Sequence, residues 1–366
     1  MKQSARCLTG LLGLAAVSQA PLALAVATPN TCEWAAGGSG PMTFIQDVKS
    51  IYVPRDAPVG SVIGRRQFVR TPNNEGRAIV CDNDGSIRLT FNAQASVPPV
   101  QHMLPGIGAY GSVNALLPTN VPGVGVQFAL AFPFDGLASN SFTPDLGDPT
   151  VPFSAHHQRA MGSARLNFSN LENYITLIKT GPIAAGPQTF NGQELFSGAF
   201  STIPGKSFRV GLSGTVIQAH CGSNKVSADP VPLGEWDLAD FTGPGYTTRA
   251  VPFNITLSGC VADGTDTNIA TANIRFEGAG GSVPVVPAIP GVFSLTPASG
   301  AKGVGIQILK GDGSTPVELN TEVPIKQIGT GQTVLDFAAR FYQIDASRDV
   351  EPGDAKGVLN FTLTYK

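Results

Sequence analysis

The sequence predicts an all-β chain built from two antiparallel β-sandwiches. Three observations carry that expectation. Gly (43) and Pro (29) are abundant in the 366 residues, while charged residues make up only 14%. That mix disfavours long helices and favours short strands joined by turns. Apolar residues reach 42% and alternate with polar ones, which separates the chain from disordered sequences. Four of the five cysteines, Cys32, Cys81, Cys221 and Cys260, fall as two widely separated pairs.

Taken in order, residues 1–25 read as a secretory signal. Lys2 and Arg6 give a positive start, and residues 8–17 form an apolar core too short to span a bilayer. Ala23-Leu24-Ala25 is a small-x-small cleavage site, with Ala25-Val26-Ala27 as the alternative. Cys7 leaves with this segment. About 340 residues remain, enough for two cores. They divide into a domain at 26–208 and a second at 209–366, where Pro204-Gly205-Lys206 precedes a fresh strand. An even number of cysteines in an exported chain argues for two disulfides. Of the three pairings, the long gap between Cys81 and Cys221 favours Cys32–Cys81 and Cys221–Cys260, one per domain. Each is worth roughly 4 kcal/mol in the chain-entropy model.

The strands follow from alternation. Ile87-Arg88-Leu89-Thr90-Phe91, Tyr174-Ile175-Thr176-Leu177-Ile178 and Phe208-Arg209-Val210-Gly211-Leu212 each carry it. So do Phe253-Asn254-Ile255-Thr256-Leu257 and Asn273-Ile274-Arg275-Phe276. Residues 95–160 are poorer in clear strands and richer in turn residues; long loops there either carry recognition or only connect. In the last ten residues Leu359, Phe361, Leu363 and Tyr365 share one face of a strand. That strand runs to the end of the sequence, so its edge is expected to pair with another chain.

Charge and motifs exclude several function classes. The formal net charge is −2, and −4 without Lys2 and Arg6, which gives no basic surface for nucleic acid. Gly106, Gly108 and Gly111 have dinucleotide-fingerprint spacing but follow Pro105, with no strand before and no helix after. Asp82-Asn83-Asp84-Gly85 resembles the start of a calcium loop, lacks the twelfth-position glutamate, and reads as a hairpin turn. His156 and His157 read as exposed loop imidazoles. No C-x-x-C is present, and His102, His156, His157 and His220 do not sit at ligand spacings beside the cysteines, so no metal site is expected. No nucleophile elbow occurs, and Asp145 and Asp148 sit isolated beside turn prolines. The chain is expected to be no enzyme and to need no cofactor.

Arg65, Arg66, Arg70, Arg77 and Arg88 lie within 24 residues. Guanidinium forks grip carboxylates and sulfates, so an acidic glycan or an acidic protein patch is one reading. Solvated strand faces that keep edges from pairing are the plainer one. Arg65, Arg66, Tyr52 and Tyr110 are the ligand-binding candidates, the tyrosines as platforms for a sugar ring. Trp34, two residues from Cys32, is expected to pack against the disulfide.

The second half resembles the pilin domain of chaperone–usher fimbriae. The stretches that carry the resemblance are Gly214-Thr215-Val216-Ile217-Gln218-Ala219-His220-Cys221, Val231-Pro232-Leu233-Gly234 and Phe253-Asn254-Ile255-Thr256-Leu257-Ser258-Gly259-Cys260. They continue with Gly303-Val304-Gly305-Ile306-Gln307-Ile308, Phe337-Ala338-Ala339-Arg340-Phe341-Tyr342, and Pro352-Gly353-Asp354-Ala355 leading to Tyr365. A Pro-rich stretch at 283–297 departs from the pattern as a longer loop. Ile51-Tyr52-Val53-Pro54-Arg55-Asp56-Ala57-Pro58-Val59-Gly60, and Leu177-Ile178-Lys179-Thr180-Gly181 followed by Ala185-Gly186, resemble stretches of type 3-like adhesin domains.

The resemblance implies an immunoglobulin-like sandwich that lacks its last strand and is completed by a donor strand. It puts an apolar groove between the strands at 215–221 and 359–365, lined by Val216, Leu359, Phe361, Leu363 and Tyr365. A periplasmic chaperone would fill it first, and the next fimbrial subunit later, after passage through an outer-membrane usher. Cleavage at Ala25 leaves six residues before Cys32, at most roughly 20 Å of chain and too little to donate a strand. The architecture thus resembles the two-domain tip adhesins of type 1 and type 3 fimbriae. It implies a lectin-like or matrix-binding N-terminal domain at the fimbrial tip on the cell surface, with a host glycan or extracellular-matrix protein as ligand. A non-adhesive structural tip or minor pilin subunit is the alternative.

Overall fold

The computed structural model describes residues 29–36, 38–100, 116–262 and 269–366. The expected signal at 1–25, Tyr110 and the glycines at 106–111 lie outside the described residues. Among those described, regular structure is all β apart from two short 3-10 turns. The first fourteen strands are β1 (Thr31–Trp34), β2 (Met42–Pro54), β3 (Val62–Pro72), β4 (Ile79–Asp82), β5 (Leu89–Ala95), β6 (Leu117–Pro118), β7 (Val124–Leu130), β8 (Thr143–Pro144), β9 (Phe153–His157), β10 (Leu166–Phe168), β11 (Asn170–Lys179), β12 (Gln188–Asn191), β13 (Phe196–Phe200) and β14 (Phe208–Ala219). The other eight are β15 (Ser223–Val226), β16 (Val251–Cys260), β17 (Thr271–Ala279), β18 (Val292–Ser294), β19 (Val304–Lys310), β20 (Val323–Gln327), β21 (Gly331–Gln343) and β22 (Val358–Tyr365).

Strands β1 to β14 make three sheets, ordered β1-β4-β10, β3-β11-β7-β6 and β12-β14-β13-β5-β9-β8. β2 adds to the last of these by pairing with β14 in parallel, from Met42 opposite Phe208 to Pro54 opposite Ala219. Every other strand pairing is antiparallel, as expected. Strands β2 and β14 lie far enough apart in sequence for the long crossover that a parallel pair requires. Midway, Lys49 (φ 62°) and Gly214 (φ +120°) form a bulge, with the Asp47 carboxylate accepting from the Lys49 amide at 2.8 Å. A side chain at Gly214 would meet the Lys49 carbonyl at 2.5 Å, which explains the glycine there.

The first core is aromatic. Phe44, Phe91, Phe128, Phe134, Phe142, Phe168, Phe196, Phe200 and Phe208 are all fully buried in it. The Gln46 and Asn173 side chains, also buried, bond to each other and tie β2 to β11 across it. Trp34 packs on its rim. The second core lies between the sheets β15-β16-β21-β19-β18 and β20-β17-β22, around Leu257, Ile274, Phe276, Leu335 and Phe337. Both expected disulfides form, Cys32–Cys81 across the β1–β4 pair and Cys221–Cys260 at the edge of the second core.

The cores change over between Val216 and Ala219, within β14, which runs unbroken from one to the other. Two expectations need correction. Ile87 and Arg88 precede β5 rather than opening it; the buried Asn83 amide donates to the Ile87 carbonyl at 2.9 Å and holds both residues in the turn. Residues 95–160 contain a central strand, β7, with six of its seven residues buried. A strand covered on both faces carries no alternation, so periodicity misses it.

Candidate functional site

The alternation of β22 turns Leu359, Phe361, Leu363 and Tyr365 toward the second core. Tyr365 is 4% exposed, whereas the other three are only partly buried. One edge of β22 pairs antiparallel with β17, from Ala272 opposite Tyr365 to Ala279 opposite Val358. Just beyond, Lys366 and Thr271 exchange two backbone hydrogen bonds, of 2.6 and 3.1 Å. Such pairs recur at every second residue of an antiparallel ladder. The backbone groups of Asn360, Thr362 and Thr364 therefore point at β17, and those of Leu359, Phe361, Leu363 and Tyr365 point the other way. On that other side β22 is, among the described residues, the last strand of its sheet.

At Tyr365 the outward groups are taken. The Asp56 amide donates to the Tyr365 carbonyl at 2.9 Å, and the Tyr365 amide donates to Asp56 Oδ2 at 2.8 Å. Arg55 pairs with the Asp56 carboxylate at 3.2 Å and lies over the Tyr365 ring, 4.9 Å from its centroid. The end of β2 delivers both residues: the Arg55 amide continues the parallel ladder onto the Ala219 carbonyl at 3.1 Å. Lys179 Nζ, itself buried, donates to the Arg55 carbonyl at 2.8 Å. Burial holds the Lys179 amine below its usual range and the Tyr365 phenol above its own. Beside them Glu322 is held below the usual carboxylate range by hydrogen bonds from Lys366 and Thr364.

Val216 does not line a groove beside β22. It is 0% exposed in the first core. The 215–219 part of β14 has β2 along one edge, and Val216 has Gln188 of β12 on the other. The thirteen residues of β2 extend the ladder to Pro54, so the 55–56 turn, not β14, flanks the end of β22.

The ligand-binding candidates are not brought together. Arg65 and Arg66 are adjacent on β3, so their side chains leave opposite faces, and Tyr52 is partly buried on β2. Arg66 lies over the Tyr174 ring at 4.2 Å, and Tyr174 packs on Phe68 at 5.2 Å. These two rings, 38% and 53% exposed, form an aromatic pair on the outer face of β3 and β11. Their positions, directly opposite in the ladder, were hidden until the register was known. The other arginines disperse onto carboxylates: Arg70 to Glu172, Arg77 to Glu75 and Arg88 to Asp145. His156 and His157 sit on β9 rather than in a loop. His156 pairs with Asp145, and His157 is buried, donating from Nε2 to the Ser139 carbonyl at 2.9 Å. Asp145 and Asp148, with Asn92, Gln94 and Phe153, line an open cleft of about 690 Å³. A second cleft of about 510 Å³ is lined by Ile45, Phe190, Glu194 and Arg209. Arg65, Arg66 and Tyr52 line neither.

A family model described as "Fimbrial protein" matches residues 210–366, beginning within β14. The chain is 26% identical over 324 residues to the fimbria adhesin protein of Klebsiella pneumoniae, covering 86% of this chain and 88% of that one. It is 32% identical over 167 residues to fimbrial subunit type 1 of Salmonella typhimurium, covering 42% of this chain and 80% of that one. Among solved structures it is similar to the CupB6 tip adhesin from Pseudomonas aeruginosa, at 15% identity and a TM-score of 0.35, covering 91% of this chain and 93% of that one.

Proposed function

Because this chain belongs to the fimbrial protein family, we propose that it is a fimbrial tip adhesin whose second region accepts a strand on the free edge of β22. It is a fimbrial subunit, not an enzyme. One observation carries the finer reading. β22 ends its sheet with three outward-facing backbone positions, at Leu359, Phe361 and Leu363, and those same residues leave the second core partly uncovered. A strand laid along this edge would take up the backbone groups and cover the apolar side chains in one step. A periplasmic chaperone and then the next subunit are the partners of that chemistry, with the usher as the exit to the cell surface. The first region, a separate aromatic core, lies before the family match except for the start of β14, and its role in this reading is to bind a glycan or a matrix protein.

The test has two parts. The full chain is titrated with a donor-strand peptide of alternating apolar residues. At a peptide concentration 100 times its Kd, the stability gain should be about 2.7 kcal/mol, seen as a raised Tm. A chain that is monomeric and stable alone, with a Tm unmoved by any such peptide, would overturn strand acceptance. The complemented chain is then screened on glycans, collagens and other matrix proteins. Saturable binding supports an adhesin; a folded chain that binds none of them returns the reading to a structural subunit.

A further inference from the structure

Among the described residues, the neighbouring lane of β22 is open along most of its length and blocked at one end. Strands in a sheet lie about 4.8 Å apart, and only one backbone fits in each lane. At Tyr365 that lane is already held by Asp56, whose amide and carboxylate satisfy both outward groups at 2.9 and 2.8 Å. The obstruction is not a loose loop. Its Arg55 is tied through its amide to Ala219 and through its carbonyl to the buried Lys179 amine. Its guanidinium is stacked on the Tyr365 ring. The three remaining outward positions, Leu359, Phe361 and Leu363, span five residues, roughly 17 Å of strand.

We propose that Asp56 is a stop that sets the register of strand addition: the incoming strand pairs with β22 from Leu359 to Leu363 and ends there. Resting on the acceptor role of β22, this assigns the N-terminal region a part in choosing its partner. A strand long enough to run beside Tyr365 gains nothing from the extra length unless Asp56 leaves. The turn that blocks it is continuous with β2, so displacing it disturbs the first region, whereas a strand that stops at Leu363 leaves that region untouched.

The experiment uses the full chain, wild type and Asp56→Ala, with Arg55→Ala as a second variant that keeps the carboxylate. Three peptides are compared: one matched to 359–363, and the same peptide extended by two residues at either terminus. Hydrogen exchange reads individual amides, and titration reads affinity. In the wild type, the amides of Leu359, Phe361 and Leu363 should gain protection with every peptide, and extension should change affinity by less than twofold. The Tyr365 amide should be protected already, without peptide. In Asp56→Ala it should exchange freely, and the turn, then held at Tyr365 by its amide alone, should give way to one of the extended peptides, which protects it. That peptide should bind about tenfold tighter than the short one, the worth of one or two added backbone hydrogen bonds. Arg55→Ala should keep the Tyr365 amide protected. An extended peptide that binds tenfold tighter than the short one to the wild type too, or a Tyr365 amide that exchanges freely in the wild type, would overturn the stop. Absence of protection at 359, 361 and 363 in all proteins would instead overturn the acceptor role itself.

Discussion

The two cores use the same aromatic chemistry and close in different ways. In the first, Phe91 packs against Phe134 at 4.0 Å, Phe200 at 5.1 Å and Phe208 at 5.9 Å, and all four rings are buried. In the second, Phe337 is enclosed just as well between Phe253 and Phe276. Phe361, next in line at 6.3 Å from Phe276, is only partly buried, because among the described residues no strand lies beyond β22. Composition does not separate the two regions; sheet order does. A core is complete only when every strand that faces it has neighbours enough to exclude water.

The largest expected effect tests the closed core. Phe91→Ala should cost about 3–5 kcal/mol in urea unfolding. The chain has two tryptophans, Trp34 on the first core and Trp236 in the second region, so Trp34→Phe and Trp236→Phe backgrounds report each region alone. If Phe91→Ala moves the Trp236 signal as far as the Trp34 signal, the regions unfold as one unit and the comparison breaks.

The disulfides should be the same for both. Their sequence separations are 49 and 39, and removing either by paired Cys→Ser changes should cost about 4 kcal/mol. Near-equal losses leave the open edge as the source of any difference in stability. A far larger loss for Cys221–Cys260 would mean that the second region leans on its cross-link in place of a strand.

Phe361→Ala sharpens the contrast further. In the lone chain the cost should be about 1–2 kcal/mol, because part of the ring is already wet, and about 3 kcal/mol with a strand peptide bound. Equal costs with and without peptide would sink the idea of an unfinished core.

The smallest effect belongs to His157. Burial holds its imidazole below the ordinary value of about 6.5, so the unfolded chain binds the proton more tightly. Its contribution to stability is complete above that value and is lost as the pH falls through the lowered one. His157→Gln should flatten this dependence in the Trp34 signal and leave the Trp236 signal alone. A wild-type Trp34 signal with the same unfolding midpoint at about pH 7 and pH 5 would contradict the assignment.

Particular residues mark how far the sequence could be read. The alternation at 359–365 placed one apolar face on a strand, and the chain folds that way. Both disulfides followed from spacing in an all-β chain. Strand β7 escaped because six of its seven residues are buried, and two-sided burial erases the period. The Arg65–Arg88 cluster left an anion-binding surface open beside the plainer solvated strand faces; strands diverge within it, Arg70 and Arg88 meet carboxylates from distant segments, and Arg77 meets Glu75 two residues away. Val216 was misplaced because nothing local announces that β2 will lie beside β14 in parallel.

What the sequence determined by itself was local: the strand content, the faces of those strands, the cross-links and the family. Each depends on residues within a few positions of one another, or on a pattern carried along one segment. Only the tertiary structure decided which edges are paired and which are left open. Asp56 meets Tyr365 across 309 residues, and no periodicity spans that distance. Pairing is settled by the summed burial and hydrogen bonding of whole sheets, so the open lane of β22, and the residue that closes its end, exist only once both cores have formed.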